Sequence, residues 1–210
     1  MRSMATRGAL GGLARGTLEA VDVLDAAGFD MVLIETVGVG QDEVEIVGAA
    51  HTTVVVSAPG LGDDIQAIKA GILEIADVHV VSKCDKPDSN RTIADLKSML
   101  ALGLAVGEQR AWRAPVVATS SLEGQGIEQV LVAIDEHGAY LRDSGEITAR
   151  RTRIAERRLL KAGEAILRDR FERDRTGHIQ ALIDQMLGRT LSPHAAAVRL
   201  LNELRIGEEA

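Results

Sequence analysis

The sequence predicts a doubly wound α/β domain with a mainly parallel sheet, followed by an α-helical arm. Three observations carry this. Four short apolar runs rich in β-branched residues alternate with longer amphipathic stretches up to about Gly138, the strand signals then stop, and the charge balance changes sign near the same place. Residues 1–140 hold 10 Lys and Arg against 20 Asp and Glu, whereas residues 141–210 hold 14 against 11. The chain is therefore expected to divide into 1–140 and 141–210.

In order along the first segment, the runs are Met31-Val32-Leu33-Ile34, Thr53-Val54-Val55-Val56, Val78-His79-Val80-Val81 and Pro115-Val116-Val117-Ala118. Each is too short for a helix and suits a buried parallel strand. Helices are expected at about 42–50, 63–76, 88–103 and 126–137; in the second, Ile65, Ile68, Ile72 and Ile75 recur at spacings of three and four. Repeated βα units of this kind build an open sheet covered by helices.

Beyond Gly138, Ile154, Leu159, Leu160, Ile166, Leu167 and Phe171 recur at helical spacing through an Arg/Glu-rich background, which predicts one long amphipathic helix. A second helix runs from about His178 to Leu187 with Gly188 as its C′ residue. Ser192-Pro193 then supplies an N-cap and N1 for a last helix through Val198, Leu200, Leu201 and Leu204.

Composition excludes several classes of function. With 46% hydrophobic and 26% charged residues the chain is neither disordered nor fibrous. No apolar stretch approaches the roughly 18 to 20 residues of a membrane helix, and MRSMATRGALGGLARG lacks a continuous signal core, so no membrane partner and a cytosolic location are expected. The single cysteine, Cys84, forms no internal disulfide, in keeping with a reducing compartment. Aromatic residues make up 2% of the chain and the net charge is −7, which argues against nucleic acid as a partner.

In a doubly wound sheet, ligands bind outside the carboxyl ends of the strands. The first run leads into Glu35-Thr36-Val37-Gly38-Val39-Gly40-Gln41, a carboxylate that can hold Mg²⁺ followed by a glycine whose N–H can approach a terminal phosphate. A capping acid and a glycine turn give the same pattern. After the second run, Ser57 to Asp64 enters a helix with Asp63 as N-cap, and Gln66 and Lys69 lie near its start; their spacing alone demands no function. The third run leads into Val81-Ser82-Lys83-Cys84-Asp85, in which Asp85 can accept the N1–H and exocyclic amine of guanine while the Lys83 stem lies along the base. The fourth leads into Thr119-Ser120-Ser121-Leu122-Glu123-Gly124-Gln125-Gly126, where backbone N–H groups can meet the base carbonyl or simply cap the next helix. The three patterns occur in this order, each directly after a strand, and together they point to a guanine-nucleotide site.

The stretches RSMATRG, GGLAR, ETVGVGQ, PGLGDDIQAIKAG and EIAD resemble the GTPase domain of the MeaB/ArgK family, relatives of the methylmalonic aciduria type A proteins. The resemblance covers essentially the whole chain. It implies a P-loop GTPase fold, binding of GTP or GDP with Mg²⁺, and service as a chaperone to adenosylcobalamin-dependent methylmalonyl-CoA mutase. Older usage calls such proteins LAO/AO transport system kinases. The helical tail is similar to the family's dimerisation arm, so a homodimer is implied. By position, Glu35 is the Walker B-like acid near Mg²⁺, with Gly38 and Gln41 in switch II. Ser82, Lys83 and Asp85 fall on the base-reading motif, and Ser120, Ser121 and Leu122 on the last guanine loop. Asp63, Gln66 and Lys69 fall on switch III, which couples nucleotide state to the mutase.

Two departures stand out. Ser82 replaces the family's Asn, and no G-x-x-x-x-G-K-[ST] occurs in the 210 residues. In the family the phosphate loop precedes RSMATRG, which implies that Met1 is an internal methionine or the end of a truncation. The chain as written is then expected to bind GTP poorly, hydrolyse it hardly at all and leave an apolar sheet edge exposed. A different class of function, a non-catalytic dimerising module that docks a partner without nucleotide, fits the same absence.

Overall fold

The computed structural model describes residues 1–4, 15–36, 46–59, 75–105, 111–173 and 177–206. Among these, three parallel strands form one sheet in the order β1 (Val54–Ser57), β2 (Val78–Val81), β3 (Val116–Ala118). Strand β2 lies between the others and is buried along its whole length. Its alternation sorts the core into two layers. Val78 and Val80 pack with Ala133 and Val130 of α3 (Ile127–Asp143), whereas Val81 packs with Leu96 of α2 (Ser89–Ala105). The two helices therefore cover opposite faces, and the fold is doubly wound as the alternating pattern predicts. Each fully buried valine contributes on the order of 1.5 to 3 kcal/mol relative to an exposed one.

The first predicted strand is corrected. Met31–Ile34 follows α1 (Arg15–Ala26) but forms no strand, and Met31 and Leu33 are 47% and 81% exposed. A β-branched run becomes a strand only by pairing its N–H and C=O groups, and among the described residues nothing forms a ladder with it. Val56 of the edge strand β1 is also exposed. Of the predicted helix at 42–50 the described part is a 3₁₀ turn, Ile46–Gly48; most of 63–76 lies outside the described residues.

At the amino end of β2, Asp77 gathers a buried polar cluster. Its carboxylate receives two hydrogen bonds from Arg150, Nη1 at 2.6 Å and Nη2 at 3.0 Å, one from the Thr53 N–H at 2.8 Å, and lies 3.3 Å from His137 Nε2. With Nε2–H directed at the carboxylate, His137 Nδ1 accepts the Thr52 hydroxyl at 2.9 Å. Trp112 donates to the Asp77 carbonyl at 2.8 Å, and its ring lies against His137 and Tyr140. Burial pushes the Asp77 carboxyl up, but hydrogen bonds from His137, Arg150 and Thr53 outweigh it and hold the group down at about 2.

Cα proximity separates two compact units, 1–156 and 157–210, and helix α4 (Glu146–Arg173) contains the join. No side chain of α4 is fully buried, and Leu159, Leu160 and Ile166 are exposed. In the second unit α5 (His178–Leu187) and α6 (Pro193–Ile206) pack together, and Ile179, Leu182 and Ala196 are buried there. Ser192 caps α6 as expected, its Oγ accepting the Ala195 N–H at 3.2 Å. A groove of about 300 Å³ is lined by Leu167, Phe171, Ile179, Ala197, Leu200 and Leu201.

The end of α5 differs from expectation. Gly188 stays at φ −72°, and Arg189 takes the left-handed position at φ 57°. The Thr190 N–H bonds the Gln185 carbonyl and the Arg189 N–H bonds the Met186 carbonyl, both at 3.0 Å. This is a Schellman end with Arg189 at C′, one residue beyond the glycine. Helix α1 ends the same way, but there Gly28 holds the left-handed position, at φ 84°.

Candidate functional site: the base-reading loops

The carboxyl ends of β2 and β3 bring the two predicted base loops together. Ser82 extends the β1 ladder, its N–H donating to the Ser57 carbonyl at 2.8 Å and its hydroxyl to the same oxygen at 3.0 Å. The hydroxyl that stands in place of the family's Asn amide is therefore engaged within the sheet. Cys84 reaches the other way, its N–H donating to the Thr119 carbonyl at 2.9 Å, while its own carbonyl accepts the Ser89 hydroxyl at 2.9 Å. That last bond ties the loop to the start of α2.

Asp85 is held from two sides. Ser120, fully buried, donates its hydroxyl to Oδ1 at 2.9 Å, and Lys86 Nζ lies 3.6 Å from Oδ2. The Ser120 hydrogen bond, with a smaller contribution from Lys86, lowers the Asp85 carboxyl below the usual range. Ionised in this way, the carboxylate is an acceptor only, which is the state needed to receive two donors from one face of a purine.

The second loop is closed on itself. Ser120 and Gln125 exchange N–H···O bonds at 3.0 Å in both directions, leaving Ser121, Leu122 and Glu123 exposed at the tip. Gly126 at φ 78° restarts the chain into α3, and a Cβ there would stand 2.0 Å from the Ala118 carbonyl. Only glycine fits. The Cys84 thiol lies 3.6 Å from Gln125 Oε1, a further contact between the loops.

Of the other predicted residues, Glu35 is exposed and stands away from any group of three carboxylate, His or Cys side chains, since none capable of holding a metal occurs among the described residues. Gly38, Gln41, Asp63, Gln66 and Lys69 lie outside the described residues. The Asp77 cluster was not anticipated from sequence. Its members are scattered from Thr52 to Arg150, and the available sign was an acid directly before a strand.

Known proteins share this arrangement of elements. The profile of the methylmalonyl-CoA mutase-associated GTPase MeaB matches residues 1–176. A Pyrococcus abyssi protein named as a GTPase is 40% identical over 205 residues, covering 97% of this chain and 63% of its own length. The mitochondrial methylmalonic aciduria type A homolog of Mus musculus is 36% identical over 154 residues, covering 72% of this chain and 37% of its own. The crystal structure of an LAO/AO transport system kinase superposes with a TM-score of 0.63 at 28% identity, covering 90% of this chain and 61% of that one. The chain spans less than two thirds of the length of these relatives. With its doubly wound sheet and a matching profile over most of its length, the chain belongs to the family of methylmalonyl-CoA mutase-associated GTPases of the MeaB type.

Proposed function

We propose that this chain reads guanine nucleotides for a GTPase that acts as chaperone to an adenosylcobalamin-dependent methylmalonyl-CoA mutase. The observation that carries the reading is the Asp85 carboxylate, held ionised by Ser120 at the carboxyl end of the central strand. Guanine offers an N1–H and an exocyclic amine on one edge, and a carboxylate accepts both; adenine presents no such donor pair. The Lys83 stem covers the base, and the tip at Ser121 and Leu122 offers backbone N–H groups to its carbonyl. In this reading Glu35 stands near Mg²⁺, Gly38 and Gln41 serve the terminal phosphate and attacking water, and Asp63, Gln66 and Lys69 couple nucleotide state to the mutase. Bound Mg²⁺ supplies charge stabilisation at the phosphates. The exposed apolar residues of α4 and the second unit support dimerisation between copies.

Fluorescent GDP titrated with Mg²⁺ tests the reading, on this chain and on a form extended upstream to include a phosphate loop, with ATP as competitor. Tight, ATP-resistant binding by the extended form supports it, and Asp85→Asn then lowers guanine-over-adenine preference at least about tenfold, a loss on the scale of one hydrogen bond to a charged group. Unchanged preference in that variant refutes the base assignment. Binding by neither form favours a dimerising module that docks its partner without nucleotide.

A further inference from the structure

Lys83 holds a left-handed backbone, φ 53°, at a position where sequence reasoning assigns a role to the side chain alone. The ladder explains why. On the β1 side the pairing is regular as far as Ser82, which donates to Ser57. On the β3 side it is regular through Val81, whose carbonyl accepts the Thr119 N–H at 2.8 Å. The next donor in a regular parallel ladder, to the Thr119 carbonyl, is the N–H of residue 83. Cys84 makes that bond instead. One residue has been inserted between two fixed rungs, and Lys83 is that residue.

A bulge shifts the offset between neighbouring chains by one and re-aims every side chain after it. It is at the shifted offset that the Asp85 carboxylate meets the Ser120 hydroxyl. We infer that Lys83 is a positioning residue, a one-residue left-handed bulge that aims Asp85, and that its backbone conformation sets base discrimination while its stem adds affinity for any base. The bulge stands on the hydrogen bonds alone; its consequence for discrimination rests on the guanine-site reading. A left-handed residue with a Cβ is disfavoured, strongly so when β-branched, and glycine is free of that penalty.

The test compares Lys83→Gly, Lys83→Ala and Lys83→Val with the natural chain. Cys84 is the only cysteine of the 210 residues, so with any cysteine of an added segment replaced by serine, maleimide labelling reports on this loop alone. Labelling is followed without nucleotide, with GDP and with ADP, in the form extended to include a phosphate loop, alongside thermal unfolding of both forms. Lys83→Gly is expected to melt at or above the natural chain, to label within about twofold of it, and to lose affinity for GDP and ADP alike while keeping their ratio. Lys83→Val is expected to label roughly tenfold faster, reflecting left-handed strain, and to lose the ratio; Lys83→Ala falls between and serves if the valine variant does not fold. A valine variant matching the glycine one, or a glycine variant that loses the ratio, overturns the inference. Absence of GDP protection in the extended form with Lys83 intact refutes the guanine site instead, and the order of melting and labelling still decides the bulge.

Discussion

Asp77 and Asp85 stand at opposite ends of β2, and each has its carboxyl held low for a different reason. Asp77 is enclosed, and its charge is matched by Arg150 in a two-pronged contact with further help from His137 and Thr53. Removing one partner of such a pair leaves a buried charge, so Arg150→Met should destabilise the fold by roughly 3 kcal/mol in urea unfolding at pH 7. The pH dependence has a defined sign. A carboxyl at about 2 in the folded chain and at its ordinary 3.8 when unfolded contributes fully above pH 4, and the contribution is lost as pH falls through 2. The loss amounts to about 2 kcal/mol, and a plot of unfolding free energy against pH should lack that slope in Asp77→Asn. Asp85 is governed by one neutral hydroxyl and a loose cation. Ser120→Ala should raise its pKa back toward the ordinary 3.8, so that guanine preference starts to fall at a higher pH than in the natural chain, a shift readable from GDP and ADP titrations carried down through pH 4. Sequence order placed Asp85 just beyond a strand, and the structure has it there, hydrogen-bonded to Ser120. Sequence order missed Asp77, whose partners come from four separate segments.

Helix ends show where local sequence is sufficient and where it is not. Ser192-Pro193 can be read from two adjacent residues because an N-cap needs only a short side chain and the N–H three positions on. A C-terminal stop depends on where the last turn chooses to end, and in α5 it ends one residue later than the glycine signal. Arg189→Gly removes the left-handed penalty and should raise stability by about 0.5 to 1 kcal/mol, measured by thermal unfolding. Gly28→Ala at the matching position of α1 should cost about 1 kcal/mol, because no Cβ is tolerated there without strain. Strands raise the same issue at longer range. β2 and Met31–Ile34 are both short, mainly apolar runs, yet among the described residues only the first finds ladders on both sides. Propensity describes a segment, whereas a strand is a relation between segments.

At the scale of the whole molecule, the two-sided sheet and the helical tail were legible because alternation of period two and period 3.6 is a property of long stretches. The exposed residues Leu159, Leu160 and Ile166 on α4 are a different matter: an amphipathic pattern says that a face wants cover and not what covers it. If the arm pairs two copies, Leu160→Asp together with Phe171→Asp should convert a dimer to a monomer in sedimentation velocity at micromolar concentration, with the far-ultraviolet circular dichroism unchanged. A sedimentation coefficient that does not move would remove the arm from the interface.

Trp112 is the sole tryptophan of the 210 residues, and its ring lies tilted against His137 and Tyr140 at the amino end of the central strand, its N–H on the Asp77 carbonyl. Intrinsic emission from this protein is therefore a local signal, and its source is at the far end of β2 from the loops that hold Asp85. A base stacking beside Lys83 does not touch the fluorophore. A silent tryptophan spectrum on adding nucleotide would therefore be no evidence that the loops are empty.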